Sequence, residues 1–328
     1  MSRSRSLAVG AILLFATVAF ATPSHADTTW SVVPSSADGP DGRGVIDLEL
    51  AGGQQVVEHV AVVNRSTQPV EFAIDANDGY LTAKGYFDMR VSDAAPTDGG
   101  AWVEVPDKVM IAAGATSVVP VTVSIPRNAT PGDHPVGVTA SLDTVSGQVR
   151  VQNRVGVRMN IRVTGEYVAK LTVSGVRAEY TGSWNPFAAG SVEVTYTVTN
   201  AGNVRVVTDN SILTSTIAGD SRQADTSAVR AREIMPGASR TFSAQVHGAW
   251  PLGPIGATIS AVPSLAGKPL PGVTAQRAAA VVTLWALPWS QLALVALLVL
   301  AFFAVRGIPA WRRRRIEKLI LRHRPQEA

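Results

Sequence analysis

Residues 125–138 read IPRNATPGDHPVGV, and the way this stretch is read decides the fold. It places Asp133 beside His134 in a segment holding three prolines. Either it is a catalytic or metal-binding loop, or it is a corner where a β-sheet protein changes sheets. The strand ending at Ile125 is followed by Pro126, which has no N–H for a ladder. Pro131-Gly132 then has the composition of a turn, and Val136 and Val138 start another strand. A catalytic reading needs a nucleophile or further ligand from elsewhere. The other histidines of the same region, His59 and His247, are expected in strands, so the corner is the reading adopted.

Outward from this corner the chain keeps a period of two from Val45 to Val282. Val119, Val121, Val123 and Ile125 alternate with Pro120, Thr122 and Ser124. Val155, Val157, Met159, Ile161 and Val163 alternate with Gly156, Arg158, Asn160 and Arg162. Val192, Val194, Tyr196 and Val198 alternate with Glu193, Thr195, Thr197 and Thr199. Such alternation sends one face to a core and the other to water, as in antiparallel sheets. Turn clusters such as AGGQQ, NRSTQP, NDGY, TDGG, AAGA, TPGDHP, NAGN and MPGA separate the runs at β-sandwich spacing. The expected class is all-β: two tandem immunoglobulin-like sandwiches, residues 27–165 and 166–283, divided at VTGEY. The halves echo each other. VAVVNRSTQPVEFAI and VTYTVTNAGNVRVVT each pass from strand through an asparagine turn into strand, and IAAGATSVVPVTVSI and IMPGASRTFSAQVHG each pair a glycine turn with a strand.

The ends are of another kind. MSRSRS followed by LAVGAILLFATVAFA and Ser24-His25-Ala26 has the parts of a secretory signal, with cleavage expected after Ala26. Residues 286–305 contain no charged side chain, a length that spans a bilayer core, and the basic tail 306–328 marks the cytoplasmic side. Trp285 and Trp289 flank this span on the outer side and Trp311 on the inner. The expectation is a single-pass cell-membrane protein with an extracellular ectodomain. Arg312 to Arg315 serve topology and attract anionic lipid headgroups, and residues 310–324 have the pattern of a short interfacial helix.

The formal net charge of +4 divides unevenly. The tail holds eight basic and two acidic side chains, a net +6, and Arg3 and Arg5 add +2, leaving −4 for residues 27–305. The exported part therefore lacks the basic excess that phosphate neutralisation needs, and a nucleic-acid role is disfavoured. There is no cysteine, which excludes disulfides, zinc-thiolate sites, thiol nucleophiles and a lipoprotein anchor. Five lysines against 24 arginines fit a high-GC, actinobacterial genome.

No G-x-S-x-G elbow, H-E-x-x-H, S-x-x-K set or phosphate loop is present, so no enzyme, cofactor or metal is expected. A carboxylate pair such as Asp75 with Glu104 stays open as a hydrolase alternative. DANDGY, residues 75–80, departs from EF-hand spacing and is read as a β-turn. SSADGPDGRG, residues 35–44, is read as a flexible entry loop with room for a weak calcium site. Trp102 and Trp184 are candidates for sugar-stacking faces, with core packing as the alternative.

The run VAVVNRSTQPVEFAIDANDGYLTAKGYFDM, then WVEVPDKVMIAAGATSVVPVTVSIPRNATPGDHPVGVTAS, then VEVTYTVTNAGNV, ahead of one span and a basic tail, resembles the WxL-interacting protein family of Gram-positive surface proteins. That resemblance implies a peptidoglycan-binding first sandwich and a second that holds a WxL-type secreted surface protein. The positions nearest to ligand contacts are then Asn77, Asp78, Gly79, Tyr80, Trp102, Asp133 and His134. The expected function is a membrane-anchored surface protein that contacts peptidoglycan or another wall polymer and docks a surface protein. The alternative is a scaffold subunit of an envelope complex without glycan binding.

Overall fold

The computed structural model describes residues 28–146, 149–217, 219–224, 233–266 and 273–322. The expected signal, residues 1–26, lies outside the described residues. In chain order the first eleven strands are β1 (Trp30–Ser36), β2 (Gly39–Pro40), β3 (Ile46–Leu50), β4 (Gln55–Asn64), β5 (Val70–Leu81), β6 (Phe87–Met89), β7 (Val103–Glu104), β8 (Lys108–Ile111), β9 (Thr116–Ser124), β10 (Gly132–Ser146) and β11 (Val149–Val163). They form a five-stranded sheet, β2-β1-β4-β9-β7, facing a six-stranded one, β3-β11-β10-β5-β6, with β8 also on β5. Next come β12 (Val168–Thr181), β13 (Gly190–Asn200), β14 (Val206–Thr216), β15 (Ser221–Gln223), β16 (Glu233–Ile234), β17 (Ser239–Ala249), β18 (Gly253–Leu265), β19 (Thr274–Gln276) and β20 (Ala278–Ala286). These build the sheets β17-β13-β12-β19 and β15-β14-β18-β20, with β16 on β14. The protein is all-β in immunoglobulin-type sandwiches followed by one apolar helix, α1 (Trp289–Arg322).

The period-two pattern accounts for both cores. Val119, Val121 and Val123 of β9 meet Val157, Met159, Ile161 and Val163 of β11, all buried, around Phe72. Val192, Val194, Tyr196 and Val198 of β13 fill the second core with Ile212, Ile255 and Ile259. The stretch that opened the question carries the chain from β9 in one sheet to β10 in the other. It is a change of sheets, but β10 begins at Gly132, so Asp133 and His134 belong to the strand and not to the turn.

Two other expectations are corrected. NDGY is no turn: Asn77 and Asp78 run through the middle of β5, opposite Gly137 and Val136 of β10. Residues 35–44 are not a loose loop, because β1 and β2 form a hairpin and Arg43 Nε donates to Asp41 (2.8 Å) while its Nη2 donates to Glu58 (3.0 Å). At the other end Ala286 pairs with Gly253 at the end of β20, so the helix starts at Trp289, and it continues unbroken to Arg322. Its Trp289–Arg306 segment is long and apolar enough to cross a membrane and is unburied.

The echo between the halves has a physical basis. Asn64 ends β4 and Asn200 ends β13, both fully buried. Asn64 donates to the carbonyls of Gln68 (2.8 Å) and Ile111 (3.1 Å), and accepts from the Ser66 N–H. Asn200 donates to Val204 (2.8 Å) and Ile234 (3.0 Å), and accepts from the Gly202 N–H. The backbone N–H of each then bonds the alanine carbonyl, Ala115 or Ala238, that follows a left-handed glycine, Gly114 or Gly237. One amide thus satisfies carbonyls of two chain segments, both of them buried in the case of Asn200. Asn200→Ala leaves those carbonyls unpaired and is expected to lower unfolding free energy by roughly 1–3 kcal/mol. Urea melts of the full chain in detergent, followed by tryptophan fluorescence, read this directly.

Candidate functional site

β11 sends Arg158, Asn160 and Arg162 to the side away from its core. These were expected to face water, yet Asn160 and Arg162 are buried: Asn160 bonds Asp47 and Arg158, Arg162 lies over the Tyr167 ring, and Arg158 reaches Glu233 of the second sandwich. Asp133 lies opposite Arg162 across the β10–β11 pair. Arg162 donates to it through Nε (2.6 Å) and Nη2 (2.8 Å), and the backbone N–H of Arg205 donates to the same carboxylate at 2.7 Å. Arg205 Nε lies 3.4 Å from it, near enough for an ion pair but not aligned for a hydrogen bond. Glu233, from β16, takes both Arg158 nitrogens (2.9 and 2.6 Å) and Arg205 Nη1 (3.2 Å). Burial works against the Glu233 carboxylate, but the bonds and charges of Arg158 and Arg205 outweigh it and hold its pKa below the usual value. Gly132 adopts φ +130°, and the backbone oxygen of Asn203 occupies the space where a Cβ would stand. Asn203 itself bridges the carbonyls of Pro131 (2.9 Å) and Glu166 (2.8 Å). Asp133 is therefore a fastener between the two halves, and its carboxylate is not offered to a ligand.

His134 is also held. Nδ1 faces Asp98 Oδ1 at 2.5 Å and Nε2 faces the Thr130 carbonyl at 2.9 Å, while the ring lies 4.5 Å from that of Trp102. Both ring nitrogens meet acceptors, and only the doubly protonated ring can donate to both. Burial opposes the charge, but the Asp98 bond and charge and the Thr130 carbonyl prevail, raising the His134 pKa. Trp102 packs on the first core.

In β5, Asn77 donates to the Val91 (3.1 Å) and Ala94 (2.7 Å) carbonyls. Asp78 accepts from the N–H groups of Thr97 (2.7 Å), Asp98 (3.1 Å) and Gly100 (2.9 Å) and from the Thr97 hydroxyl (3.0 Å). Burial raises its pKa, and these donors more than reverse that, leaving it lowered. A side chain at Gly100 would strike the Asp78 backbone, so only glycine lets the segment close there. Asn77 and Asp78 therefore anchor the excursion between β5 and β7. Among the expected site residues, Asn77, Asp78, Asp133 and His134 are engaged within the protein and Trp102 is half-buried. Tyr80 and Trp184 present themselves to solvent.

Tyr80 borders a feature that the sequence did not single out. Its hydroxyl donates to Asp88 (3.2 Å), Asp88 faces Arg154 (3.6 Å), and both line a pocket of about 280 Å3 with Phe87, Met89 and Thr139. Beside it Thr139 Oγ1 is buried without a hydrogen-bond partner, as is Asp75 Oδ2 on the residue opposite in the β5–β10 register. Gly137 and Gly156 in the central strands leave room for Met89 and Thr139 to pack close over the strands at the pocket floor. Glycines at outward strand positions were the available signal. Among the described residues no group of three His, Cys, Asp or Glu is placed to hold a metal ion.

In the second sandwich β17 is paired with β13 on one side, and among the described residues no strand pairs the other. Its outward face continues a hydroxyl row. Thr199 meets Ser239 (2.7 Å), Thr197 meets Thr241 (3.0 Å), and Gln245 donates to Ser191 (3.0 Å). Its charged residue, Arg240, reaches the Thr82 (3.3 Å) and Ala83 (3.2 Å) carbonyls of the first sandwich.

No protein-family model matches this chain, and no curated protein sequence matches it. Among solved structures it is similar to a chaperone–tip adhesin complex of CFA/I fimbriae (11% identity over 76% of this chain and 97% of that one, TM-score 0.38). It is also similar to the CsuC–CsuE chaperone–tip adhesion subunit complex of Acinetobacter baumannii (11%, 78% and 97%, TM-score 0.34). A family 123 glycoside hydrolase from Clostridium perfringens is matched over 42% of this chain and only 27% of its own length, at 11% identity and TM-score 0.29. These are likenesses of β-sandwich arrangement.

Two outcomes are expected of the fasteners. Asp133→Ala strands Arg162 as a buried unpaired charge and should lower unfolding free energy by roughly 3–5 kcal/mol, read by denaturant melts. The His134 pKa is raised on folding, so its contribution is complete below the unfolded value of about 6.5 and is lost as pH rises through the higher folded value. The difference in melting midpoint between the protein and His134→Gln should shrink over that rise.

Proposed function

We propose that this chain is a membrane-tethered binding protein of the cell surface. It docks a partner protein through the second sandwich and touches peptidoglycan or another wall polymer with the first. The observation that carries this reading is the edge of β17, 11 residues without proline, to which no described strand pairs and which has a bulge only near its far end, at Gly248. Such an edge presents unpaired N–H and C=O groups, and natural sheets shield theirs with lysine, proline or bulges. An added strand from a partner takes affinity from main-chain bonds and selectivity from the alternating side chains. By resemblance to the WxL-interacting family, that partner is a WxL-type secreted protein or its analogue.

The wall-polymer half is supported by the pocket of Phe87, Asp88, Thr139 and Arg154. It offers a carboxylate, a guanidinium and an aromatic wall, a mixture that suits a hydroxylated, amidated glycan. Tyr86, 70% exposed, and Tyr80 add flat faces close by in sequence. Catalysis is not favoured by this geometry. His134, Asp133 and Asp78 are each hydrogen-bonded within the fold, and among the described residues no nucleophile is shown in contact with the His134 ring.

A photocrosslinker at Gln245 of the full chain in cells should give a discrete protein adduct, whereas one at Thr258 on the opposite sheet should not; equal labelling removes the docking reading. Full-length protein in detergent should be retained by purified wall sacculi at moderate salt, and Tyr80→Ala with Arg154→Ala should release it. Adducts at Gln245 without any retention would instead support the scaffold alternative.

A further inference from the structure

Trp184 is 96% exposed and Phe187 79% exposed, although both are large apolar rings. They stand on the loop joining β12 to β13, GSWNPFAA at residues 182–189, which has no charged residue. This loop has a definite shape. The Asn185 N–H bonds Ser183 Oγ (3.1 Å), Asn185 Oδ1 accepts the Phe187 N–H (3.0 Å), and the Ala188 N–H bonds the Asn185 carbonyl (3.1 Å). It is also tied to the start of α1, where Gln291 Nε2 donates to the Pro186 carbonyl at 3.0 Å. A groove forms between loop and helix, lined among others by Tyr180, Trp184, Trp285, Leu287 and Trp289, and none of its lining residues is charged. Trp285 and Trp289 are themselves 71% and 70% exposed.

So much apolar ring surface gathered in one place is not a resting state in water. What covers it follows from where it lies. The groove is continuous with the first turns of the apolar helix, at the level where a spanning helix passes through the interfacial layer. Tryptophan and tyrosine are favoured in that layer, with the ring among glycerol and upper acyl groups and the N–H or O–H toward water. The missing charge fits insertion of the loop tip below the headgroups, where apolar faces are buried.

We propose that the Trp184–Phe187 loop is a second membrane anchor: it inserts into the outer interface of the bilayer beside α1, and the groove behind it holds a lipid chain. The inference rests on α1 being a membrane span. It reassigns Trp184 from a sugar platform to a lipid-facing side chain. Two points of attachment, joined by the Gln291–Pro186 bond, fix the second sandwich against the membrane instead of leaving it free to swing on a tether. The β17 edge and the first sandwich, fastened through Asp133, are then presented at a set orientation.

The chain has no cysteine, so single substitutions give clean labels. Full-length Phe187→Cys, Leu298→Cys and Ser243→Cys, each carrying an environment-sensitive nitrobenzoxadiazole dye, are reconstituted into phosphatidylcholine–phosphatidylglycerol nanodiscs. Doxyl quenchers are placed on the lipid either near the headgroup or near the chain end. The expected result is strong quenching at 298 by the deep quencher and several-fold stronger quenching at 187 than at 243 by the shallow one, with blue-shifted emission at 187. Water-like emission at 187 with a quenched 298 overturns the anchor while leaving the span intact. Blue-shifted emission at 187 without lipid quenching also overturns it, since protein then covers the loop. An unquenched 298 overturns the span and the anchor with it.

Discussion

The carboxylate of Asp133 is almost wholly removed from water, and an isolated buried charge of that kind is not tolerated. It is stable because Arg162 grips it with two aligned donors and the Arg205 backbone adds a third from the other sandwich. The geometry of this one group therefore dictates how the halves meet. Arg205 carries the constraint on to Glu233, which also binds Arg158, and Asn203 closes the backbone around Pro131 and Gly132. A junction of aligned ion pairs and main-chain bonds has few ways to slide, in contrast to one made of apolar contact alone, because each displacement unpairs a desolvated charge.

Within each sandwich a second device recurs. A buried asparagine at the end of a long strand, Asn64 or Asn200, satisfies carbonyls from two crossing segments and lets the next strand begin in the facing sheet. The two halves diverge in what is built on this common frame. The first covers its outer face with the excursion between β5 and β7, pinned by Asn77 and Asp78, and retains a polar pocket beneath it. The second leaves the edge of β17 without a pairing strand among the described residues and directs its uncharged loop toward α1. The reactive-looking side chains are taken up by architecture, and what stays exposed is a strand edge that no described strand pairs, a small polar pocket, and a patch of exposed rings.

Much of this was legible in the residues. The alternation of Val119 to Ile125 and of Val192 to Val198 states strand and inward face outright, since the side-chain period of a strand depends only on neighbours two apart. Pro126 and Pro131-Gly132 mark a corner by local sterics, and the asparagine echo marks a repeated device. The apolar run before the basic tail marks a helix, though Ala286 is taken by β20 and only Trp289 begins the turn. NDGY was misread, because turn-forming residues also suit a strand when their side chains are needed to hold a neighbouring loop, and that need is invisible in four letters.

The sequence by itself determined the class of fold, the places where the chain bends, and the apolar helix at one end, all of which arise from interactions among residues close in the chain. Only the tertiary structure decided what Asp133 and His134 contact and where Trp184 lies. Arg205 lies 72 residues from Asp133, Asp98 lies 36 from His134, and the helix residue that holds the Trp184 loop lies 105 from Pro186. Side-chain chemistry says which partners each group accepts. The burial that makes one of them obligatory comes from the packing of whole sheets.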